Sequence, residues 1–153
     1  MRTCVRTLAH WGLVLGCLAL VLAPTSSSRG QEIVDTWKYV LRRPAPEWRQ
    51  PIFDEQGWIS APGGFGTPGT PEARMGTLWN TDNIWLRKSF QCESIPKNVG
   101  LLIHHDEEAE VYLNGKQIAA VKGYSVEYEV IRLDAEQSSA LKTGKNVLAV
   151  HCH

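Results

Sequence analysis

The chain has 153 residues and no net charge, because 16 lysines and arginines are balanced by 16 aspartates and glutamates. A chain of this length forms one domain with a single modest core, which excludes a separate catalytic domain. It lacks the excess of basic residues that binding to nucleic acid or to an anionic membrane surface requires.

Residues 1–30 have the organisation of a secretory signal peptide. Two arginines precede an apolar run of eleven residues, 13–23, and a polar stretch follows it. The run is too short for a membrane span, which needs roughly twenty residues. A lipoprotein alternative rests on Cys17, although that cysteine lies inside the run and not at its end. We therefore predict a secreted or periplasmic protein, not membrane-bound after cleavage, whose mature part is residues 31–153.

The mature part carries 13 basic and 16 acidic residues, a balance of about −3, because the leader removes three arginines and no acid. It also keeps two cysteines, Cys92 and Cys152, in a compartment expected to be oxidising. Two interpretations are open for these cysteines. They form a disulfide, or both are small buried residues on strands.

In the mature part, apolar residues alternate with period two, which is typical of β-strands. The first predicted strand places Trp37, Tyr39 and Leu41 on one face. Three prolines in residues 44–51 cannot donate to a β-ladder and predict an irregular connection. Residues 61–76 contain five glycines and three prolines, which predicts a long structured loop.

Further strands follow in quick succession. They are predicted at residues 84–90, 100–105, 109–113, 116–121, 126–133 and 145–153. The pair Asn114–Gly115 predicts a two-residue type I′ hairpin between two of them. The alternation breaks at Val130 and Ile131, where we expect a β-bulge. A capping pattern beginning at Asp134 predicts one short helical turn before the last strand.

Short strands at intervals of about eight to twelve residues, separated by glycine and proline turns, predict an all-β sandwich or barrel. The last predicted strand continues to residues 150–153 without a closing turn. We therefore expect a C-terminally truncated sandwich that lacks its closing strand. Such a sandwich would expose a sheet edge to a partner domain or protein.

Four segments carry a resemblance to a known family. They are residues 51–58, 84–90, 105–115 and 144–150. Their succession resembles the galactose-binding-like jelly-roll β-sandwich at the N-terminus of family 2 glycoside hydrolases and of related secreted bacterial proteins, and it covers residues 35–153. The resemblance implies a jelly roll that supports or binds sugar, whereas the catalytic carboxylates of such enzymes lie in a separate barrel domain.

Sugar recognition requires an aromatic face and converging polar groups. Trp79, Asn80 and Asp82 supply both beside the glycine-rich loop, and Tyr124 is a further candidate. We predict these four residues as the sugar-binding site. In the alternative interpretation Trp79 fills the end of the sandwich, as Trp85 is expected to fill its core.

The densest cluster of titratable groups is His104–Glu108. His104 and His105 point to opposite faces of a strand, so they cannot bind one ion together without distortion. His151 and His153 share a face, and with His105 they would form a three-nitrogen metal site only if their strands were neighbours. We expect ordinary histidines, with no metal and no cofactor.

Glycoside hydrolysis would need two carboxyl groups roughly 5–10 Å apart across a cleft. The candidates are Asp106, Glu107, Glu108 and Glu110. Most of them lie in a turn that is expected to be solvated. The sequence has no Ser-His-Asp, phosphate-loop or dinucleotide pattern. We therefore predict no catalytic residues and a protein that is not an enzyme.

The favoured function is a secreted, non-catalytic carbohydrate-binding or accessory module of the type associated with glycoside hydrolases. One alternative is an N-terminal fragment of a larger secreted glycoside hydrolase whose catalytic domain is absent. The other is a structural module that binds a protein through its exposed sheet edge.

Overall fold

The computed structural model describes residues 36–153, so the predicted signal peptide lies outside the described residues. Strands dominate this part of the chain, which confirms the predicted all-β class. The elements in chain order are β1 Thr36–Val40, a 3-10 helix Pro46–Arg49, β2 Ile59–Pro62, β3 Phe65–Gly66, β4 Thr77–Leu78, β5 Ile84–Cys92, β6 Gly100–Ile103, β7 Ala109–Leu113, β8 Lys116–Val121, β9 Glu129–Arg132, α1 Ala135–Ser138 and β10 Gly144–Cys152.

The main sheet has six antiparallel strands in the order β2-β1-β5-β10-β7-β8. Its centre is the β5–β10 ladder, which runs in register from Cys92 opposite Gly144 to Ile84 opposite Cys152. A second antiparallel pair, β6 and β9, lies against one face of this sheet, and β3 and β4 form a short parallel pair. The result is a sandwich with one large and one small layer.

Alternation along the strands divides the main sheet into two faces. The inner face, which is the one turned toward β6 and β9, carries aliphatic side chains. Its buried residues on β5, β7 and β10 are Ile84, Leu86, Ala109, Val111, Leu113, Leu148 and Val150, packed against Leu101 and Ile103 of β6. Trp37 and Tyr39 also face this core, whereas Leu41 lies beyond β1 and is 43% exposed, so the prediction for Leu41 was wrong.

The outer face of the main sheet carries aromatic residues instead. Trp85 and Tyr112 project from it and pack with Trp48 of the 3-10 helix, whose ring meets that of Tyr112 edge-on at 5.7 Å. Phe53 and Trp58 complete this second cluster. The proline-rich residues 44–58, called here the covering segment, therefore close over the outer face.

Arg87 on β5 fastens the covering segment to the sheet. Its side chain is 1% exposed, and its NH1 group donates to the backbone carbonyls of Trp48 and Gln50. Its Nε lies 3.3 Å from a carboxylate oxygen of Glu55. Burial lowers the pKa of Arg87, and the attraction of Glu55 opposes that change. Arg87 keeps its charge all the same, because a guanidinium is not deprotonated in proteins.

The predicted hairpin is confirmed, and it brings two of the resemblance segments together. Asn114 and Gly115 have φ of 52° and 88°, the positive values that a type I′ turn requires. The Asn114 amide donates to Oδ1 of Asn146 at 2.8 Å, and the backbone N–H of Val147 donates back to Oδ1 of Asn114 at 2.9 Å. Asn146 is fully buried and donates to the carbonyl of Lys142 at 2.7 Å. These bonds link the β7–β8 turn to the start of β10.

The predicted capping box is also confirmed. Asp134 Oδ1 accepts the backbone N–H of Gln137, and the Gln137 side chain accepts the backbone N–H of Asp134. This reciprocal pair satisfies two amide groups that the first helical turn leaves free. The helical turn therefore begins where the sequence predicts.

The predicted bulge in β9 was wrong. β9 pairs with β6 in unbroken register, with Val130 66% exposed and Ile131 packed against the core. The irregularity lies between β7 and β8, where Val111 pairs with Ala119 and Tyr112 with Gln117, so that the register skips one residue. That residue is Ile118, and the bulge buries Ile118 and Ala119 side by side.

Cys92 and Cys152 do not form a disulfide. Both are free, and they lie at opposite ends of the β5–β10 ladder, with Cys92 opposite Gly144 and Cys152 opposite Ile84. That separation is on the order of 25 Å along the strands, whereas a disulfide needs α-carbons within about 7 Å.

Within residues 36–153, no helix is long and apolar enough to cross a membrane.

Candidate functional site

A cavity of about 470 Å³ opens at the end of the main sheet where β5 begins and β10 ends. Its walls come from the glycine-rich loop, the connection from β4 to β5, the turn after β6 and the last residues of the chain. The lining residues are Gly64, Phe65, Gly66, Thr67, Thr70, Ala73, Arg74, Met75, Trp79, Asn80, Thr81, Asp82, Ile84, Leu86, His104, His105, Asp106, Glu107, Tyr128, Cys152 and His153.

The glycine-rich loop folds because its two arms touch backbone to backbone. The N–H of Gly76 donates to the carbonyl of Gly64 at 2.8 Å, and the N–H of Trp79 donates to that of Gly66 at 2.8 Å. A Cβ added to Gly64 would collide with the carbonyl oxygen of Arg74, and Gly64 also has a φ of 89°. Only glycine satisfies both conditions. The loop is therefore structured, as predicted, and it places Trp79 at the cavity wall.

Trp79 is half-buried and packs against the inner core, while it also lines the cavity. Its Nε1–H donates to Oγ1 of Thr81 at 2.9 Å, and the Thr81 hydroxyl donates to the carbonyl of Asn83 at 3.1 Å. Asn80 and Asp82 are exposed and line the same cavity. The structure thus brings together three of the four residues predicted to bind sugar, and Trp79 also anchors the loop.

Tyr124 is not among the lining residues of the cavity, and its side chain is 72% exposed. The connection from β8 to β9 contributes a different tyrosine to the cavity, Tyr128. The centre of its ring lies 5.4 Å from that of His104. Sequence reasoning assigned Tyr128 to the predicted strand 126–133, but β9 begins only at Glu129. Phe65 is the third aromatic residue of the wall. It lies within the glycine-rich loop, where no sequence pattern marks it as a site residue.

The two adjacent histidines of the cavity each have one ring nitrogen engaged. Nε2 of His104 donates to the carbonyl of Pro71 at 3.1 Å, and Nδ1 of His105 donates to the carbonyl of Glu107 at 3.0 Å. A carbonyl oxygen can only accept, so each of these nitrogens carries the proton. His105 is 6% exposed, which makes it the most buried polar residue of the cavity wall.

The three-nitrogen metal site considered from the sequence does not form. β10 pairs with β5 and β7, not with β6, so His151 is not next to His105. The His151 ring instead stacks on Trp85 at 4.6 Å on the outer face, and its Nε2 lies 2.9 Å from Oδ1 of Asn83. Among residues 36–153, no group of three or more potential ligands is arranged to hold a metal ion.

Burial shifts two groups at the end of β10 toward their neutral forms. It lowers the pKa of His151, and Glu110, whose carboxylate lies 3.6 Å from Nδ1, opposes that change. Burial raises the pKa of the Cys152 thiol to about 12. A thiol with so high a pKa is a poor nucleophile at neutral pH, so Cys152 contributes an apolar surface to the cavity.

The four candidate carboxylates divide between the cavity and the surface. Asp106 and Glu107 line the cavity together with Asp82, and Arg74 is the basic residue of the wall. Glu108 lies 3.8 Å from the Lys122 ammonium, and Glu110 faces His151. The wall therefore combines aromatic rings, hydrogen-bond acceptors and a surplus of acidic over basic side chains.

Comparison with known proteins finds similarity in structure but not in sequence: no protein-family model matches the chain, and no curated protein does. A β-glycosidase from Bacteroides vulgatus matches 77% of this chain with a TM-score of 0.54 and 18% identity. A glycosyl hydrolase family 2 member from Bacteroides cellulosilyticus matches 78% with a TM-score of 0.53 and 19% identity. A Bifidobacterium dentium β-glucuronidase, solved with coumarin-3-O-glucuronide, matches 78% with a TM-score of 0.51 and 19% identity.

The chain spans 16%, 17% and 19% of the length of these three proteins. Matches at such low identity establish the fold alone. The chain therefore has the β-sandwich fold of a domain that occurs within family 2 glycoside hydrolases, as its four sequence segments predict. The match corresponds to a small part of those enzymes.

Proposed function

We propose that this chain is a secreted, non-catalytic carbohydrate-binding module of the type associated with glycoside hydrolases, and that the cavity beside the glycine-rich loop is its sugar site. The observation that carries the proposal is the meeting of Trp79, Asn80 and Asp82 in one cavity of about 470 Å³. Small-molecule sites are commonly concave, with volumes of roughly 300–1,000 Å³, and mostly apolar with a few converging polar groups.

The composition of the cavity suits a pyranose ring. Phe65, Trp79 and Tyr128 offer aromatic surface for the C–H faces of a sugar. Asn80 and Asp82, both exposed at the wall, supply an amide and a carboxylate for its hydroxyls. The Trp79 N–H already donates to Thr81, so this residue would contribute its ring face and not a hydrogen bond.

Calorimetric titration with plant and algal polysaccharides tests the proposal. We expect weak binding of at least one polysaccharide, abolished by Trp79→Ala and weakened about tenfold by Asp82→Asn, which removes one charged hydrogen-bond acceptor. Asp82 is exposed, so its substitution does not endanger the fold. Tyr124→Ala is the matched aromatic control, because Tyr124 lies outside the cavity. Heat from no polysaccharide, or binding that survives Trp79→Ala, would refute the sugar site.

The coverage of the structural neighbours favours a second candidate function, a domain of a longer glycoside hydrolase. This chain matches 77% of its own length but 16% of the Bacteroides vulgatus β-glycosidase. We expect the coding region beyond His153 to continue into a catalytic domain, in frame or after a frameshift. A stop codon followed by no such extension contradicts this candidate. A nitrophenyl glycoside assay of the isolated chain should show no hydrolysis under either proposal.

A further inference from the structure

His105 is a buried ring held in one orientation at the cavity wall. Its backbone N–H donates to Oγ of Ser125 at 3.0 Å, and its carbonyl accepts the Ser125 backbone N–H at 2.9 Å. The ring Nδ1–H donates to the carbonyl of Glu107 at 3.0 Å. Because Glu107 has a φ of 61°, its carbonyl is turned by a conformation that non-glycine residues rarely adopt. These contacts fix both the position and the tautomer of the ring.

In the neutral ring this bond leaves the lone pair on Nε2 of His105, which can then accept a hydrogen bond. No group within residues 36–153 donates a hydrogen bond to Nε2 of His105. In this part of the chain, the fully buried side-chain nitrogens without a partner are those of Trp37 and Arg87, so Nε2 of His105 is open to the cavity. The residue is 6% exposed and lines the cavity. A nearly buried side chain with an unused lone pair at a cavity wall calls for a donor from a ligand or from water.

The charged residues of the wall favour the same kind of ligand. Asp82, Asp106 and Glu107 contribute three carboxylates against the single guanidinium of Arg74, which is itself engaged in an interaction. The Nε2–H of His104 is occupied by a protein carbonyl. Acidic side chains therefore outnumber basic ones at the wall, and a ligand carboxylate would be repelled by charges of its own sign.

We infer that the cavity selects neutral or amino sugars, whose hydroxyl and ammonium groups donate hydrogen bonds, and discriminates against uronic acids. His105 is the residue that fixes one of these donor contacts. The inference rests on the proposed sugar site and narrows it to a class of ligand. A uronate would bring a carboxylate toward Asp82, Asp106 and Glu107, and it would replace a hydroxyl donor by an acceptor.

The test compares a methyl β-glucoside with a methyl β-glucosaminide, which differs from it at C2, and with a methyl β-glucuronide, which differs from it at C6, together with the matching galacto series. Ligand-observed NMR titration at low ionic strength gives the affinities. Galactan, chitosan and polygalacturonate are ranked in parallel. We expect the neutral and amino ligands to bind at least about tenfold more tightly than the uronides, with a gap that narrows as salt screens the charges. Equal or tighter binding of the uronides overturns the inference while leaving the sugar site standing.

If the proposed sugar site is wrong, the result is different, because no methyl glycoside of either series and no polysaccharide binds. That outcome refutes both the sugar site and its selectivity. Two variants separate the causes of selectivity. Asp106→Lys, at an exposed position of the cavity wall with no assigned sugar contact, should raise uronide affinity about tenfold, whereas Glu93→Lys, exposed and outside the cavity, should not. His105→Phe removes the acceptor and should weaken the neutral ligand about tenfold, with an unchanged circular dichroism spectrum confirming the fold. Unchanged uronide affinity in Asp106→Lys contradicts the charge argument.

Discussion

The two faces of the main sheet are closed by different means. The inner face is covered by β6 and β9, whose backbone groups pair with each other, so apolar side chains alone can fill the space between the layers. The outer face is covered by the covering segment, an irregular stretch whose carbonyls have no neighbouring strand. Arg87 lies under that segment and donates to two of its carbonyls.

This contrast shows what an irregular cover requires. Buried backbone groups must find hydrogen-bond partners, and a strand pair supplies them internally whereas a proline-rich segment does not. A buried arginine with a fork of donors can serve several carbonyls at once. The outer face should therefore depend on one polar side chain, while the inner face should depend on many apolar contacts of moderate individual strength.

The largest effect is expected from Arg87→Met, which keeps an unbranched side chain but removes the donors. The carbonyls of Trp48 and Gln50 lose their partner, and so does the Glu55 carboxylate. Each of the two carbonyls that loses its donor costs about 1–3 kcal/mol, and the partly exposed Glu55 carboxylate adds less. Urea unfolding measures the loss, and limited proteolysis should show faster cleavage within residues 44–58. Lys145→Met, at an exposed position of β10, is the control and should change stability by less than about 0.5 kcal/mol. A loss below about 1 kcal/mol for Arg87→Met would contradict this account of the outer face.

A smaller effect is expected at the polar end of the inner face. Asn146→Ala removes the acceptor of the Asn114 amide and the donor to the Lys142 carbonyl in a fully buried site. An unsatisfied buried group costs about 1–3 kcal/mol. Urea unfolding again reports the change, and Asn98→Ala at an exposed position is the matched control. Equal stability of the two variants would mean that the turn does not need this amide network.

The aliphatic part of the inner face should respond more gently to a conservative change. Ile103 on β6 is completely buried, and Ile103→Val removes one methyl group. We expect a loss of about 0.5–1.5 kcal/mol by thermal or urea unfolding. Val130→Ala on the neighbouring β9 serves as the control, because Val130 is 66% exposed. If Ile103→Val cost as much as Arg87→Met, the proposed difference between the faces would disappear.

The smallest effect concerns pH on the outer face, where His151 stacks on Trp85. Burial lowers the pKa of His151 in the folded chain, with a smaller contribution from Arg43 and His153 and an opposing one from Glu110. The unfolded chain, with a histidine pKa of about 6.5, therefore binds the proton more readily, so stability falls as pH drops below about 6.5 and levels off once the folded form is protonated too. The unfolding free energies of wild type and His151→Gln are measured at several pH values. The stability of the wild type relative to His151→Gln should fall toward acid pH. A difference that is constant across pH would show that His151 does not titrate as described.

Much of the strand pattern could be predicted from local sequence. The hairpin at Asn114–Gly115 and the helical turn at Asp134 depend on neighbouring residues, and both are confirmed. The bulge could not be predicted in this way, because it occurs at Ile118 and not at Val130, where the alternation of the sequence breaks.

The candidate site could be predicted in part for the same reason. Trp79, Asn80 and Asp82 are close in the chain, so sequence proximity was enough to group them. Tyr128 and His105 reach the cavity from other connections, and no local pattern distinguishes Tyr128 from the exposed Tyr124. Whether Cys92 and Cys152 form a disulfide was likewise decided by the strand pairing. β5 and β10 run antiparallel, and their register holds the two thiols at opposite ends of the ladder.

By itself, the sequence determined the β-class, most strand positions and the turns, because side-chain alternation and turn preferences act between residues only a few positions apart. The tertiary structure decided which strands are neighbours, and with that the outer cover held by Arg87, the separation of His151 from His105 and the walls of the cavity. These features need contacts between residues far apart in the chain. Periodicity within a strand carries no information about the strand that will lie beside it.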